Sequence, residues 1–309
     1  MTIIDAQLHE PAVSLEWEQA DEPTRRLVLT ELQLGWMRAV GVDRAVLFPV
    51  DLDWAEAAAE LAPGRFGIVP MVTVGGALGG IDATAPDIDA LIAGQASKAT
   101  TVGIRILRRM PNFDRPGAHE DAPPELFERT VAAAERLGLP LFLSTAGDYE
   151  TPALIAERHS GLTVIVDHLG IPQPPTFTPD TPPFKTLPKL LELARFPNVA
   201  LKLSGIPTLS LEPFPYTDIW KSLHRVIDAF GGDRLMWGSD ISRIEGRVGF
   251  RTRLPGAEGG YDGKHTYAEA LFYLRATPEL DEATRAKILG GTARALLRWS
   301  KGECPGGPG

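Results

Sequence analysis

Short apolar runs alternate with longer amphipathic stretches along almost the whole chain. The first run, residues 3–9, is β-branched at its start and polar at its end. Amphipathic sequence follows at 24–40 and stops at Gly41, a residue suited to a helix C-cap. Further apolar runs fall at 44–49, 66–72, 101–106, 139–144, 162–168, 198–203 and 234–240. Between and after them, helical spacing predicts helices at 54–61, 87–98, 124–137, 151–158, 187–194 and 216–230, then near 266–275 and 281–299. Eight strands, each followed by helix, are the result. Several of the strands are continuous apolar runs, as parallel strands covered on both faces must be. The prediction is an α/β fold, a (β/α)8 TIM barrel. The rival is an open doubly wound sheet, which places a glycine-rich turn after its first strand. Here that strand runs into Gln7-Leu8-His9-Glu10-Pro11.

Four connections are long and rich in proline or glycine: 107–123, 170–183, 204–215 and 241–265. Each follows a strand, so in a barrel each lies at the C-terminal face, where this fold builds its active sites. The length of 309 residues suits one barrel with such loops. Residues 1–301 read as a single barrel domain and 302–309, rich in glycine and proline, as a flexible tail.

Composition narrows the function. Cys304 is the one cysteine, which rules out a disulfide within the chain and a cysteine-built zinc site. That usage fits a reducing compartment, and no basic-then-apolar leader opens the sequence, so a cytoplasmic location is expected. No run approaches the roughly 20 apolar residues of a membrane helix. The net charge of −9 argues against nucleic acid, whose binding is driven by cationic patches. The expected partner is a small-molecule substrate, with pairing of exposed barrel helices into a homo-oligomer also open.

Chemistry gathers at the strand ends. Gln7 and His9 are two apart and face the same way on a strand. Strand four ends in Arg105, strand five in Ser144, strand six in Asp167 and His168, strand seven in Lys202 and Ser204, strand eight in Asp240. A barrel turns these distant residues into one pocket. Other candidates read more blandly. Asp5 is a structural hydrogen-bonder near the barrel's base, and Asp167 either orients a neighbouring group or takes a direct role. Arg108 and Arg109 are solvated loop charges, and His119, His159 and His224 are surface histidines. His265 carries no clear motif. Tyr216, Trp220 and Arg243 sit in or beside the face loops and are candidates for substrate specificity.

The segments Ile4-Asp5-Ala6-Gln7-Leu8-His9, Gly103-Ile104-Arg105, Val166-Asp167-His168-Leu169-Gly170, Leu201-Lys202-Leu203-Ser204-Gly205 and Met236-Trp237-Gly238-Ser239-Asp240 carry a resemblance. In that order they resemble the amidohydrolase-related (amidohydrolase 2) family of the amidohydrolase superfamily, and its lactone-hydrolysing members in particular. The resemblance implies a barrel hydrolase of lactones, amides and related esters, with decarboxylases as a branch. The family's first motif is His-x-His, and Gln7 stands where its first histidine would be. Ser144-Thr145 stands where metal-binding members often have another. His9, His168 and Asp240 remain as the set for one divalent metal, zinc by donor type, since an amide oxygen is a weak ligand. A metal-free mechanism, as in lactone-hydrolysing relatives, is equally open.

The expected activity is hydrolysis of a small carboxylated lactone, cyclic amide or ester. Asp240 would be the general base, with His9 and His168 orienting water and polarising the carbonyl. Arg105 and Lys202 would bind a carboxylate or oxyanion. Gln7, Ser144, Tyr216 and Arg243 complete the substrate-binding candidates. The alternatives are a decarboxylase and a catalytically degenerate ligand-binding barrel.

Overall fold

A computed structural model describes residues 1–11, 19–111, 119–173, 177, 180–241 and 265–299. The barrel strands are β1 (Ile4–Leu8), β2 (Arg44–Leu47), β3 (Phe66–Ile68), β4 (Met71–Thr73), β5 (Ile104–Leu107), β6 (Leu141–Ser144), β7 (Val164–Val166), β8 (Val199–Ser204) and β9 (Leu235–Gly238). Strand three of the sequence reading is therefore two strands, divided at Val69-Pro70. Pro70 has no N–H to give a ladder, but its carbonyl still accepts the Arg105 N–H at 2.9 Å.

Every barrel pairing is parallel, in the order β1-β2-β3 and β4-β5-β6-β7-β8-β9. An Ile68–Thr101 bridge carries the sheet across the β3/β4 break. Between β9 and β1 no ladder forms among the described residues. There the seam is held by the Asp240 N–H on the Gln7 carbonyl at 3.0 Å and the Ser239 N–H on Asp5 Oδ1 at 2.8 Å.

The helices are α1 (Glu22–Val40), α2 (Leu52–Leu61), α3 (Ile88–Ala96), α4 (Glu128–Leu137), α5 (Glu150–Arg158), α6 (Leu187–Glu192), α7 (Trp220–Phe230), α8 (Tyr267–Arg275), α9 (Glu282–Ala286) and α10 (Thr292–Leu296). Asp21 caps α1 by accepting the Thr24 N–H, and Thr266 with Glu269 forms a capping box on α8. None of the described helices is long and apolar enough to cross a membrane. The single helix expected at 281–299 is instead broken by a π turn at Lys287–Gly291. Gly290 lies against β1 there, and a Cβ would sit 2.3 Å from the Thr2 carbonyl oxygen. Side chains on these strands alternate between two apolar clusters, as the period of two dictates. Leu8, Ala45, Leu47, Ile104, Leu141, Val164, Val199 and Leu235 join the helices in one cluster. Ile4, Val46, Phe48, Val69, Val102, Phe142, Ile165, Ala200 and Met236, drawn from all round the sheet, fill the barrel interior with Ala293 and Leu297.

Candidate active site

The first strand departs from strict alternation where it meets the site. Asp5 pairs with Ala45 but Leu8 pairs with Leu47, so β1 carries one extra residue, a β-bulge. Asp5 Oδ1 accepts the Gln7 N–H at 3.0 Å and Ser239 N–H, while Oδ2 accepts the Tyr267 hydroxyl at 2.8 Å. Asp5 is thus structural, as expected, but it stitches the β1–β9 seam. Burial pushes its carboxyl up to about 6, against the hydrogen bonds it accepts. Gln7 and His9 do face the same way, with Gln7 Nε2 2.9 Å from His9 Nε2.

A charged layer lies on the aromatic rings of the interior. Asp167 is fully buried, with Lys202 Nζ 2.6 Å from Oδ1 and Arg105 Nε 2.7 Å from Oδ2. Burial alone would raise its carboxyl, but Lys202 and Arg105 outweigh it and hold the group below the usual range. Lys202 Nζ also donates to Gln7 Oε1 and sits 4.0 Å from the centre of the Phe48 ring and 4.8 Å from that of Phe142. Burial lowers the Lys202 ammonium to about 8, despite Asp167. The Arg105 guanidinium lies 5.1 Å from the Phe48 ring. Its Nη groups have no hydrogen-bond partner among the described residues.

Above this layer are the two histidines and Asp240. Asp240 is 1% exposed, with Oδ1 3.6 Å from His9 Nε2 and Oδ2 3.7 Å from His168 Nδ1. Both separations are longer than a hydrogen bond. His168 Nδ1 is 2.7 Å from Ser204 Oγ, and His9 Nδ1 is 2.7 Å from the Phe48 carbonyl oxygen. Burial pulls His9 down to about 4, the first of several effects, though Asp240 works the other way. His168 and Asp240 have φ of 55° and 54°, left-handed backbone that turns the chain sharply as each strand ends. Such residues cost on the order of 1 kcal/mol and gather at functional sites.

The structure thus brings together Gln7, His9, Arg105, Asp167, His168, Lys202, Ser204 and Asp240. Ser144 is buried but lines a separate cavity of about 350 Å³ beside α4 and α5. Tyr216 is buried in an aromatic cluster, its hydroxyl 2.8 Å from His265 Nδ1 and its ring packed on Phe214 and Tyr273. Arg243 lies outside the described residues, as does the His119 side chain. Arg108 and Arg109 are largely buried rather than solvated loop charges, with side chains 14% and 15% exposed. Arg108 is tied to Asp148 and the Ala122 carbonyl, and Arg109 to Asp121 and the Ala146 carbonyl. His159 and His224 pair with Glu135 and Glu279. Phe48 also belongs to the site. It acts through a carbonyl and a ring face, which no side-chain pattern announces.

Among the described residues no group of three or more His, Cys, Asp or Glu side chains is arranged to hold an ion. His9 Nε2 and His168 Nδ1, the nitrogens nearest Asp240, each already hold a hydrogen bond. These residues do not form a ready metal cage.

The chain is similar to known proteins along most of its length. It is 28% identical over 225 residues to 4-sulfomuconolactone hydrolase of Hydrogenophaga intermedia, a match covering 71% of this chain and 65% of that protein. It is 36% identical over 105 residues to L-fucono-1,5-lactonase of Burkholderia ambifaria, covering 32% and 34%. The chain thus spans less than two thirds of the length of these curated relatives. Among solved structures, an amidohydrolase from Burkholderia multivorans with bound zinc superposes with a TM-score of 0.65 at 21% identity, over 96% of this chain and 99% of that one. The family model for amidohydrolases of the Amidohydro_2 type matches residues 4–299, and the chain belongs to that family.

Proposed function

We propose that the protein is an enzyme that hydrolyses a small carboxylated lactone, or a cyclic amide or ester of similar shape, with Asp240 as general base and no bound metal. One observation carries the reading: a buried Asp240 carboxylate between His9 and His168, above a paired Arg105 and Lys202. Similarity to two lactone hydrolases supports the substrate class. Lone-cysteine usage supports a cytoplasmic setting.

In this mechanism Asp240 takes a proton from water as the water oxygen adds to the lactone carbonyl. His168 and the Arg105 guanidinium stabilise the negative oxygen that forms. The ring C–O bond then breaks, and the departing oxygen takes the proton back from Asp240. One water is consumed and one hydroxy acid results. Arg105 is suited to a substrate carboxylate, because Nε holds Asp167 while its Nη groups remain for a ligand. Lys202 is fully buried and contributes through the field of its charge.

Asp240→Asn tests the base. Turnover across a panel of lactones should fall by about 10²- to 10⁴-fold with the thermal melt unchanged. Near-normal kcat would remove Asp240 from the role. Elemental analysis should find less than one metal per chain, and turnover should survive chelator. CO₂ release from an aromatic acid, with no lactone opened, would replace hydrolysis by decarboxylation.

A further inference from the structure

Gln7 occupies the position that breaks the family pattern, and its hydrogen bonds follow a strict donor–acceptor logic. Lys202 Nζ is an ammonium and only donates, so the Gln7 atom it touches must be the amide oxygen. The Gln7 NH2 is then the group 2.9 Å from His9 Nε2. An NH2 only donates, so His9 Nε2 must accept and carries no proton. At the other side of the ring, Nδ1 lies 2.7 Å from the Phe48 carbonyl oxygen, which only accepts. Nδ1 must therefore carry the proton. Each link forces the next, from a buried cation through an amide to one tautomer of a histidine.

We infer that Gln7 is a positioning residue that locks His9 as the neutral Nδ1–H tautomer and engages the Nε2 lone pair that a proton or a metal would otherwise take. This rests on the metal-free reading of the site, and it replaces the expectation that Gln7 binds substrate. It also removes His9 from proton transfer, leaving that step to Asp240. His9 becomes a fixed neutral wall of the site, 3.6 Å from the base.

The test is ¹⁵N NMR of the full chain at neutral pH, with His9 assigned by comparison with His9→Gln. The wild-type ring should show a protonated Nδ1 and an unprotonated Nε2, unchanged by one equivalent of zinc sulfate. Gln7→Glu keeps an acceptor for Lys202 but places a carboxylate oxygen at Nε2. The His9 ring should then carry protons on both nitrogens, and kcat should fall by about 10- to 100-fold, the range seen when the partner that orients a metal-ligating histidine is altered. Gln7→Met should leave Nδ1 protonated while Nε2 loses its donor and its resonance moves. A protonated Nε2 in the wild type, a zinc-induced shift of that resonance, or a Gln7→Glu ring identical to wild type would each overturn the inference. Lactone turnover is scored separately. A locked His9 in a protein that opens no lactone would refute the proposed reaction and leave the lock standing, and the converse result would do the opposite.

Discussion

Asp5 lies on β1 and His9 directly follows that strand, and burial moves their protons in opposite senses. The Asp5 carboxyl rises from 3.8 to about 6. The folded chain therefore holds that proton more tightly than the unfolded chain does. Its stabilising contribution is full below 3.8 and is lost as pH rises through about 6. The His9 imidazole falls from 6.5 to about 4, so the unfolded chain is protonated first. Its contribution is present above 6.5 and is lost as pH falls through about 4. Asp5→Asn isolates the first effect. The amide oxygen keeps both backbone N–H bonds and the NH2 faces the Tyr267 hydroxyl. Between pH 4 and pH 7 the stability difference should shift in the variant's favour by about 2–3 kcal/mol, read from urea melts at each pH. A difference that ignores pH would mean that Asp5 ionises in the folded chain as it does in water. The sequence marked Asp5 as structural from its place before the strand end. Its partners Ser239 and Tyr267 lie 234 and 262 residues away, so neither its seam position nor its proton affinity was legible there.

At the scale of elements, the site depends on how β1 meets β9. Period-two alternation was enough to put Gln7 and His9 on one face. The bulge that separates Asp5 from them was not visible, because it is pinned by Ser239, just after β9 and 234 residues away from Asp5 in sequence. Gly238 makes that close approach possible. A Cβ there would lie 2.8 Å from Gln7 Cβ, 3.0 Å from Gln7 N and 3.2 Å from the Ala6 carbonyl carbon. Backbone atoms cannot rotate away. Gly238→Ala should destabilise the fold by about 1–3 kcal/mol and lower kcat as Gln7 is displaced. Paired melting and kinetic measurements decide it, and a variant with both values unchanged would show that the seam tolerates a methyl group. The terminal helix teaches the complementary lesson. Its amphipathic pattern read as one span, but the approach of Gly290 to Thr2 breaks it in two.

Across the whole molecule, the two ends of the barrel divide the work. The charged layer and Asp240 sit where strands end, while α10 closes the other end with Ala293 and Leu297. Fold stability should dominate at that closed end and activity at the open one. Leu297 is 5% exposed, and Leu297→Ala should cost about 2–4 kcal/mol through the cavity it leaves. The kcat of the molecules that remain folded should not change. A large fall in kcat without loss of stability would show that the plug communicates with the mouth.

The sequence by itself determined the class of fold and the residues at the strand ends, because periodicity, caps and breaks are local properties of the chain. His9, Arg105, His168, Lys202 and Asp240 could be named from that pattern alone. Only the tertiary structure decided which of them touch. Lys202 reaches Gln7 across 195 residues and Arg105 reaches Asp167 across 62. Proton affinity, tautomer and ion pairing follow from burial and from neighbours brought together by folding, and a linear pattern carries neither.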